Sequence, residues 1–555
     1  MNLAAVAALL LAVGTTIAHK TSSYEWRHKC PQLGPLTPKA GKELSGLNEY
    51  LGSEKFLDIS VERLSGAIQI DTTSQTSWQD LPGEDPVWQP MSKFRKYLEK
   101  TFPLVHRHLD LERVNKHGLV YTWKGENPSL KPSLFLAHQD VVPVPEETVP
   151  EWKHPPFSGF FDGKYVWGRG AIDCKTTLIA SMSAVESLLG FHYKPQRTLI
   201  LAFGFDEEIS GLQGAKRIAQ NLVKRYGKNG IALLVDEGPG IVHHKELGKT
   251  YAVPGLAEKG LFNANISVKM EAGHSALSAG FDDNSIAVTA ALIQRLRKNP
   301  MHGQVQANDP FLQAVFCLGQ HAGLESQYVE FIKQIDQNVT VINDLLPLVT
   351  AKMPYLKPLV DNTQSLTMVH GGTKVNVLPE LTELSINHRL LLGTSVEQAK
   401  SHLEKIIKDQ IADTNAAKVE PKITFRGWSD PEVSDSIKLT AFPGALEPSP
   451  ITSFSVNGTT PYGVLQGTIR SVYRDSNLTL VAPISMPANT DSRHYWDLTE
   501  HIFRFSPGHD MTDPTDNQVY SNAHNKNERA NIVGHVNGVK WYSSFIRNMD
   551  EADLP

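Results

Sequence analysis

Leu199 to Phe205 is an almost uncharged run of strand length that ends at once in Asp206, Glu207 and Glu208. A strand with no polar alternation has no face to offer water, so it belongs inside a sheet covered on both sides. Such sheets are mainly parallel and need helical crossovers, which the flanking sequence supplies. Lys175 to Leu189 sets Leu178, Met182, Val185 and Leu189 at helical spacing, and beyond the acids Leu212, Ala215, Ala219 and Leu222 repeat the pattern up to Gly227. Gly118 to Trp123, Ser133 to Ala137 and Ile231 to Val235 read as further strands. The expected fold class is α/β, with a mainly parallel central sheet covered by helices.

Polar groups recur at the ends of these strands. Ser133 to Ala137 runs into His138-Gln139-Asp140, Asp173 precedes the helix near Lys175, and Asp236-Glu237 follows Ile231 to Val235. In an open α/β sheet, ligands bind beyond the carboxyl ends of the strands, so this is the address of a site. Period-two alternation puts His138 and Asp140 on one side, where the carboxylate can orient an imidazole bound to a metal. One imidazole with several carboxylates suits zinc, with manganese or cobalt as substitutes.

Composition narrows the partners. The 555 residues hold 54 basic against 59 acidic side chains, a net charge of -5, and no block of like charge, so nucleic acid is not an expected partner. Leu3 to Ala18 is apolar, closes on Thr16-Ile17-Ala18, and reads as a signal peptide or a short anchor over residues 1–18. Sequons at Asn265, Asn338, Asn457 and Asn477 are glycosylation candidates and agree with a secretory route to a vacuole or the exterior. Three cysteines, Cys30, Cys174 and Cys317, allow at most one bridge within the chain.

The segments LAHQDVVPV, WGRGAIDCK, FGFDEE, VDEG, EAGHS and SNAHNKNE, in this order, resemble the co-catalytic zinc aminoacylase and carboxypeptidase family. Thr490 to Tyr495, TDSRHY, is similar to a signature of its carboxypeptidase S branch. The resemblance implies a zinc-exopeptidase-like catalytic domain in two parts, 61–255 and 431–555. An N-terminal arm over 19–60 precedes them, and an inserted α+β, ferredoxin-like lid and dimerisation domain over 256–430 separates them.

Within the lid, Phe262 to Met270, Thr382 to Leu390 and Pro421 to Trp428 read as strands, and Ile286 to Leu296 as a helix. A second helix opens on the capping-box pair Ser395 and Gln398.

Carried over by motif, the resemblance makes His138, Asp173, Glu208, Asp236 and His524 ligands of two zinc ions, with Glu237 the neighbouring alternative to Asp236. It makes Glu207 the general base and Asp140 the partner of His138. His274 would stabilise the substrate oxyanion, a group that members of the family sometimes supply from a partner subunit, here through a homodimer formed by the lid. Arg389 would bind the substrate's free carboxylate and Asn376 would be a further substrate contact. The family has Asp two residues before that arginine, where this chain has Asn387. Cys174 is expected to be packed and not nucleophilic.

The implied activity is a zinc-dependent carboxypeptidase that hydrolyses the C-terminal bond of short Gly-Xaa peptides with a metal-activated water. The alternative within the family is an N-acyl or N-fatty-acyl amino acid hydrolase or synthase. A catalytically silent binding domain is the remote third reading.

Overall fold

The computed structural model describes residues 29–39, 41, 44–75, 78, 86–244, 249–278, 280, 284–324, 326–352, 354–417, 422–456, 460–474, 478–508, 510–511 and 522–554. The leader over 1–18, Asn457 and Asn477 lie outside the described residues.

An eight-stranded sheet forms the body. Across it run Asp110–Val114, Gly118–Trp123, Leu199–Gly204, Ser133–His138, Leu233–Asp236, Ile502–Arg504, Gly255–Glu258 and Ile484–Met486. The four strands from Leu199–Gly204 to Ile502–Arg504 are parallel, in a register that sets Ser133 beside both Leu199 and Leu233. Their carboxyl ends therefore reach the same edge, with His138 level with Gly204.

Alternate residues feed opposite cores. Phe135, Leu201 and Phe503 pack with Leu178, Trp541 and Phe545 from helices Lys175–Gly190 and Ile532–Glu551. Leu134, Ile200 and Ala202 pack with Ile218 and Leu222 of helix Ala215–Tyr226. Water reaches neither face, which is why the strands read as unbroken apolar runs.

From Gly255–Glu258 the chain passes straight into Gly260–Lys269, the middle strand of a second sheet. That sheet has five strands, in the order Thr363–Gly371, Leu381–Leu390, Gly260–Lys269, Ser436–Ala441 and Thr424–Arg426. Helices Ser285–Lys298 and Val396–Ala417 supply Leu292, Leu403 and Ile407 to its core with Phe262, Ile266 and Leu384. The capping box forms reciprocally: Ser395 N–H donates to Gln398 Oε1 at 2.8 Å and Gln398 N–H to Ser395 Oγ at 3.1 Å.

The structure departs from the expected layout in three places. Ser436–Ala441 belongs to the lid sheet, so that sheet extends past residue 430 and has one strand more than a ferredoxin-like unit. The segment between the lid strands folds as helices Pro310–His321, Ser326–Gln337 and Thr340–Lys352, sharing a core with Tyr251, Val253 and Leu480. The N-terminal arm is helical at its end, in Leu47–Leu51 and Glu54–Ile68. The second of these was hidden because its buried seam of Phe56, Ser60, Leu64 and Ile68 contains a serine, whose hydroxyl donates to the Phe56 carbonyl at 2.8 Å.

Cys30 and Cys317 form a disulfide that ties the N-terminal segment to helix Pro310–His321. Asn338 is exposed. Asn265 lies mid-strand, with its amide donating to Glu383 Oε1 at 3.0 Å. Among the described residues, no helix is long and apolar enough to cross a membrane.

Candidate metal centre

His138 ends its strand fully buried, with both ring nitrogens committed. Nδ1 donates to the main-chain carbonyl of Asp140 at 2.9 Å, and the Asp140 carboxylate lies 3.4 Å away. This turns Nε2 toward Asp173 Oδ1 at 3.0 Å and Glu237 Oε1 at 3.4 Å. The other oxygen of Asp173 meets His524 Nε2 at 3.0 Å, and His524 lies 3.1 Å from Glu208 Oε2. Asp173 thus sits between two imidazoles with one oxygen toward each, the disposition of a bridging carboxylate. Single ligand atoms of His138, Asp173 and Glu208 fall within 4.8 Å of one another, as do those of His138, Cys174 and Glu237.

The structure separates Asp236 from its neighbour Glu237. Its carboxylate is buried and accepts from Ser492 N–H and from Glu237 N–H, each at 2.8 Å, so it braces the strand end. Neighbours leaving a strand point opposite ways, and it is Glu237 that reaches His138.

Asp140 performs two tasks. Beside orienting His138, its two oxygens accept the N–H groups of Glu207 and Glu208, each at 3.1 Å, fixing the short turn Glu207–Ile209 that displays both glutamates. The loop before Asp173 is held by Glu528, which accepts from Ile172 N–H at 3.0 Å and Asp173 N–H at 3.2 Å while paired with Arg169 at 2.6 Å. Asp173 and Cys174 are joined by a cis peptide bond. The Cys174 sulfur accepts from His138 N–H at 3.2 Å, and burial pushes its thiol up, so it is a packed side chain.

The electrostatics describe a site built for cations. Burial raises Glu207, and raises Glu208 and Glu237 to about 7. Burial would raise Asp173 too, but hydrogen bonds from His138 and His524 prevail and hold it well below the carboxylate range. Hydrogen bonds to Asp173 and Glu208 lift His524 to about 11. Four carboxylates, Asp173, Glu207, Glu208 and Glu237, face two imidazoles and one guanidinium here, a surplus of acceptors that suits divalent metal. The nitrogen and oxygen donors fit two adjacent ions sharing Asp173.

The segment from Asn489 to His494 is the hub of the site. Buried Glu258 accepts from Thr490 N–H and Oγ1, each at 2.8 Å, and pairs with Arg504 at 3.1 Å. From this anchored turn Arg493 reaches Glu207 Oε1 at 3.3 Å, and His494 donates to the Ser210 carbonyl at 2.9 Å. Arg389 comes from the lid to meet it, donating through Nη1 to Asn489 Oδ1 at 2.8 Å. Burial lowers the Arg389 guanidinium and neighbouring Arg493 lowers it further, against the opposing pull of Glu207 and Glu258. A cleft of about 790 Å³ opens alongside, lined by Ile209, Leu212, Leu261, Met368 and Phe442 as well as Arg493.

His274 and Asn376 lie together elsewhere on the lid. Gly273–His274 pairs with Val377–Leu378, and Ser275 N–H donates to the Asn376 carbonyl at 3.1 Å. His274 is exposed and accepts from Ala276 N–H. Among the described residues, no hydrogen bond or ion pair joins either residue to the metal ligands.

Sequence reasoning did not single out Glu528, Asn489 or Arg493. The last two stand in and beside TDSRHY, but nothing in residue type said that this turn would meet Glu207 and Arg389.

Residues 134–548 match the profile of the peptidase family M20/M25/M40. Over 536 residues the chain is 34% identical to carboxypeptidase S of Saccharomyces cerevisiae, covering 94% of this chain and 89% of the relative. It is 32% identical over 499 residues to the N-fatty-acyl-amino acid synthase/hydrolase PM20D1 of Mus musculus, covering 89% of this chain and 88% of the relative. The solved dipeptidase Dug1p of Saccharomyces cerevisiae shares the fold with a TM-score of 0.60 at 14% identity, over 92% of this chain and 99% of that one.

Proposed function

Because this chain belongs to the M20/M25/M40 family of metallopeptidases, we propose that it is a zinc carboxypeptidase that removes the C-terminal residue from short peptides of the Gly-Xaa type. His138, Asp173 and Glu237 would hold one zinc, and Asp173, Glu208 and His524 the other. When bound, the ions supply Lewis acidity and bring a water near neutrality in pKa.

Glu207 takes a proton from that water and passes it to the leaving nitrogen, a role that contributes roughly 10²–10⁴-fold. Arg493 holds the Glu207 carboxylate to one side of the site. Arg389 offers its remaining donors to the free carboxylate of the substrate. The observation that carries the reading is that Arg389, on the lid, is anchored to the same turn that contacts Glu207. A carboxylate reader and a base are thereby side by side.

The apolar lining of the cleft favours one second reading, an enzyme for N-acyl amino acids with a bulky acyl group, in keeping with the likeness to PM20D1. Both readings need a free carboxylate beside the scissile amide.

The test compares metal-stripped and zinc-reconstituted protein on N-blocked Gly-Leu, its C-terminal amide, and an N-fatty-acyl amino acid. Zinc-dependent release of leucine from the acid and not the amide is the expected result. Preference for the fatty-acyl substrate selects the second reading, and silence on all three overturns both.

Two further features follow the same reading. The edge strand Thr363–Gly371 pairs on one side with Leu381–Leu390 and exposes Leu366, Met368 and Val369, which supports a homodimer through the lid with His274 supplied to the partner's site. The Cys30–Cys317 disulfide and the exposed Asn338 sequon support a secretory route to a vacuole or the exterior.

A further inference from the structure

We infer that Asn489 is a positioning residue that sets the direction of Arg389 from the hinge, so that selectivity for a free carboxylate is decided by a residue outside the lid. The inference rests on the reading of Arg389 as the carboxylate binder.

Arg389 stands near the end of the lid strand Leu381–Leu390, paired with Leu261 just past the crossing between the two sheets. A guanidinium offers five donors, and one of them is spent on Asn489 Oδ1. Among the described residues Asn489 is its one hydrogen-bond partner. Arg493 opposes it by like charge while Glu207 and Glu258 attract it, so charge alone does not fix its direction. A neutral acceptor on the catalytic side supplies that direction for Arg389.

Asn489 itself cannot turn. Its Nδ2 donates to the main-chain carbonyl of Lys259 at 2.6 Å, so reversing the amide would set oxygen against oxygen at one end and N–H groups against N–H groups at the other. Lys259 is the residue between Gly255–Glu258 of the catalytic sheet and Gly260–Lys269 of the lid sheet. It is pinned in turn: its N–H donates to the Met486 carbonyl at 3.0 Å, and Nζ to the Asp361 carbonyl at 2.6 Å. On the other side of Asn489, Thr490 is bound to Glu258. Hinge, amide and arginine therefore form one rigid relay across the boundary between the two bodies.

Steady-state kinetics of the zinc-loaded enzyme on N-blocked Gly-Leu and its amide test the relay. For Asn489→Ala the KM for the acid should rise about 10-fold or more, the scale of a lost hydrogen bond to a charged group, with kcat and bound zinc little changed and discrimination against the amide reduced. Arg389→Ala should abolish the discrimination, and the double variant should add nothing to it. Asn489→Asp keeps an acceptor on Arg389 but sets a carboxylate oxygen against the Lys259 carbonyl, so it should recover the KM only in part, and it carries the test if the alanine variant folds poorly.

An unchanged KM for the acid in Asn489→Ala, with discrimination lost in Arg389→Ala, overturns the inference and leaves the carboxylate reading standing. Intact discrimination in Arg389→Ala overturns that reading itself. A fall in kcat and zinc content together in Asn489→Ala, with KM unmoved, makes the residue merely structural.

Discussion

The metal cluster and the lid place their functional groups by different physical means. At the cluster, His138, Glu207, Glu208 and Glu237 emerge from neighbouring parallel strands whose register is set by two apolar cores, so their convergence follows from the sheet. On the lid, His274 lies on a two-residue strand pair and Asn376 just before the partner strand, neither hydrogen-bonded to that cluster among the described residues, and Arg389 is joined to the turn beside it through Asn489. On the proposed reading, metal chemistry is built into one packed body, and substrate reading is divided between that body and the lid. Groups that must hold an ion need fixed distances, whereas groups that meet a substrate need a path for it to enter.

The sharpest test of the cluster side is Glu207→Gln. It should lower kcat by roughly 10²–10⁴-fold, because the amide keeps the shape without the basicity, while zinc content by elemental analysis stays at the wild-type value. Turnover that survives would remove Glu207 from the role of base.

Next in size are the neighbours of the ions. Asp140→Asn should weaken metal affinity by about 10–100-fold, the usual effect of altering the partner of a ligating histidine, as measured by competition with a chelator. Glu237→Gln should lose metal under the same conditions and Asp236→Asn should retain it. The reverse order would return Asp236 to the ligand set.

The division between bodies is tested by mixing subunits. His274→Ala and Glu207→Gln should each be inactive alone, and co-refolded they should recover up to about a quarter of wild-type activity, since half the random dimers then carry one intact site. No recovery would mean that His274 acts within its own chain or not at all.

The smallest expected effect concerns acid stability of the catalytic body. His535 is buried in the last helix with Nδ1 on the Thr176 hydroxyl at 2.8 Å, and burial lowers its pKa to about 3. The unfolded histidine, near its ordinary value of about 6.5, binds a proton that the folded one refuses. The stability contributed is present above pH 6.5 and is lost as pH falls toward 3. Melting curves of His535→Gln should therefore decline less over that window than those of the parent. An identical decline would place the acid lability elsewhere, for instance at His388 of the lid, also lowered by burial, to about 4.

Much of the catalytic body was legible because its signals are local. The run Leu199 to Phe205 and its neighbours are apolar on both faces, and a strand end is visible wherever such a run stops at an acid. What escaped was of two kinds. Helix Glu54–Ile68 carries a serine in its seam, so its periodicity is blurred. Glu528, Arg493 and Asn489 act through partners far along the chain, as with Arg493 and Glu207 or Glu528 and Asp173, and no spacing along the chain encodes such pairs. His524 entered the ligand set through motif resemblance alone, since residue type and spacing give no reason to join it to Asp173.

The sequence by itself determined the α/β class, the strands that end in acids and the family to which the chain belongs, because burial on two faces and a dense set of motifs leave few other solutions. Tertiary structure alone decided which of Asp236 and Glu237 faces His138, that the turn from Asn489 to Arg493 meets both Glu207 and Arg389, and that His274 stands apart. Those outcomes depend on the direction in which a side chain leaves its strand and on contacts across a hinge, quantities that exist only once the chain has closed on itself.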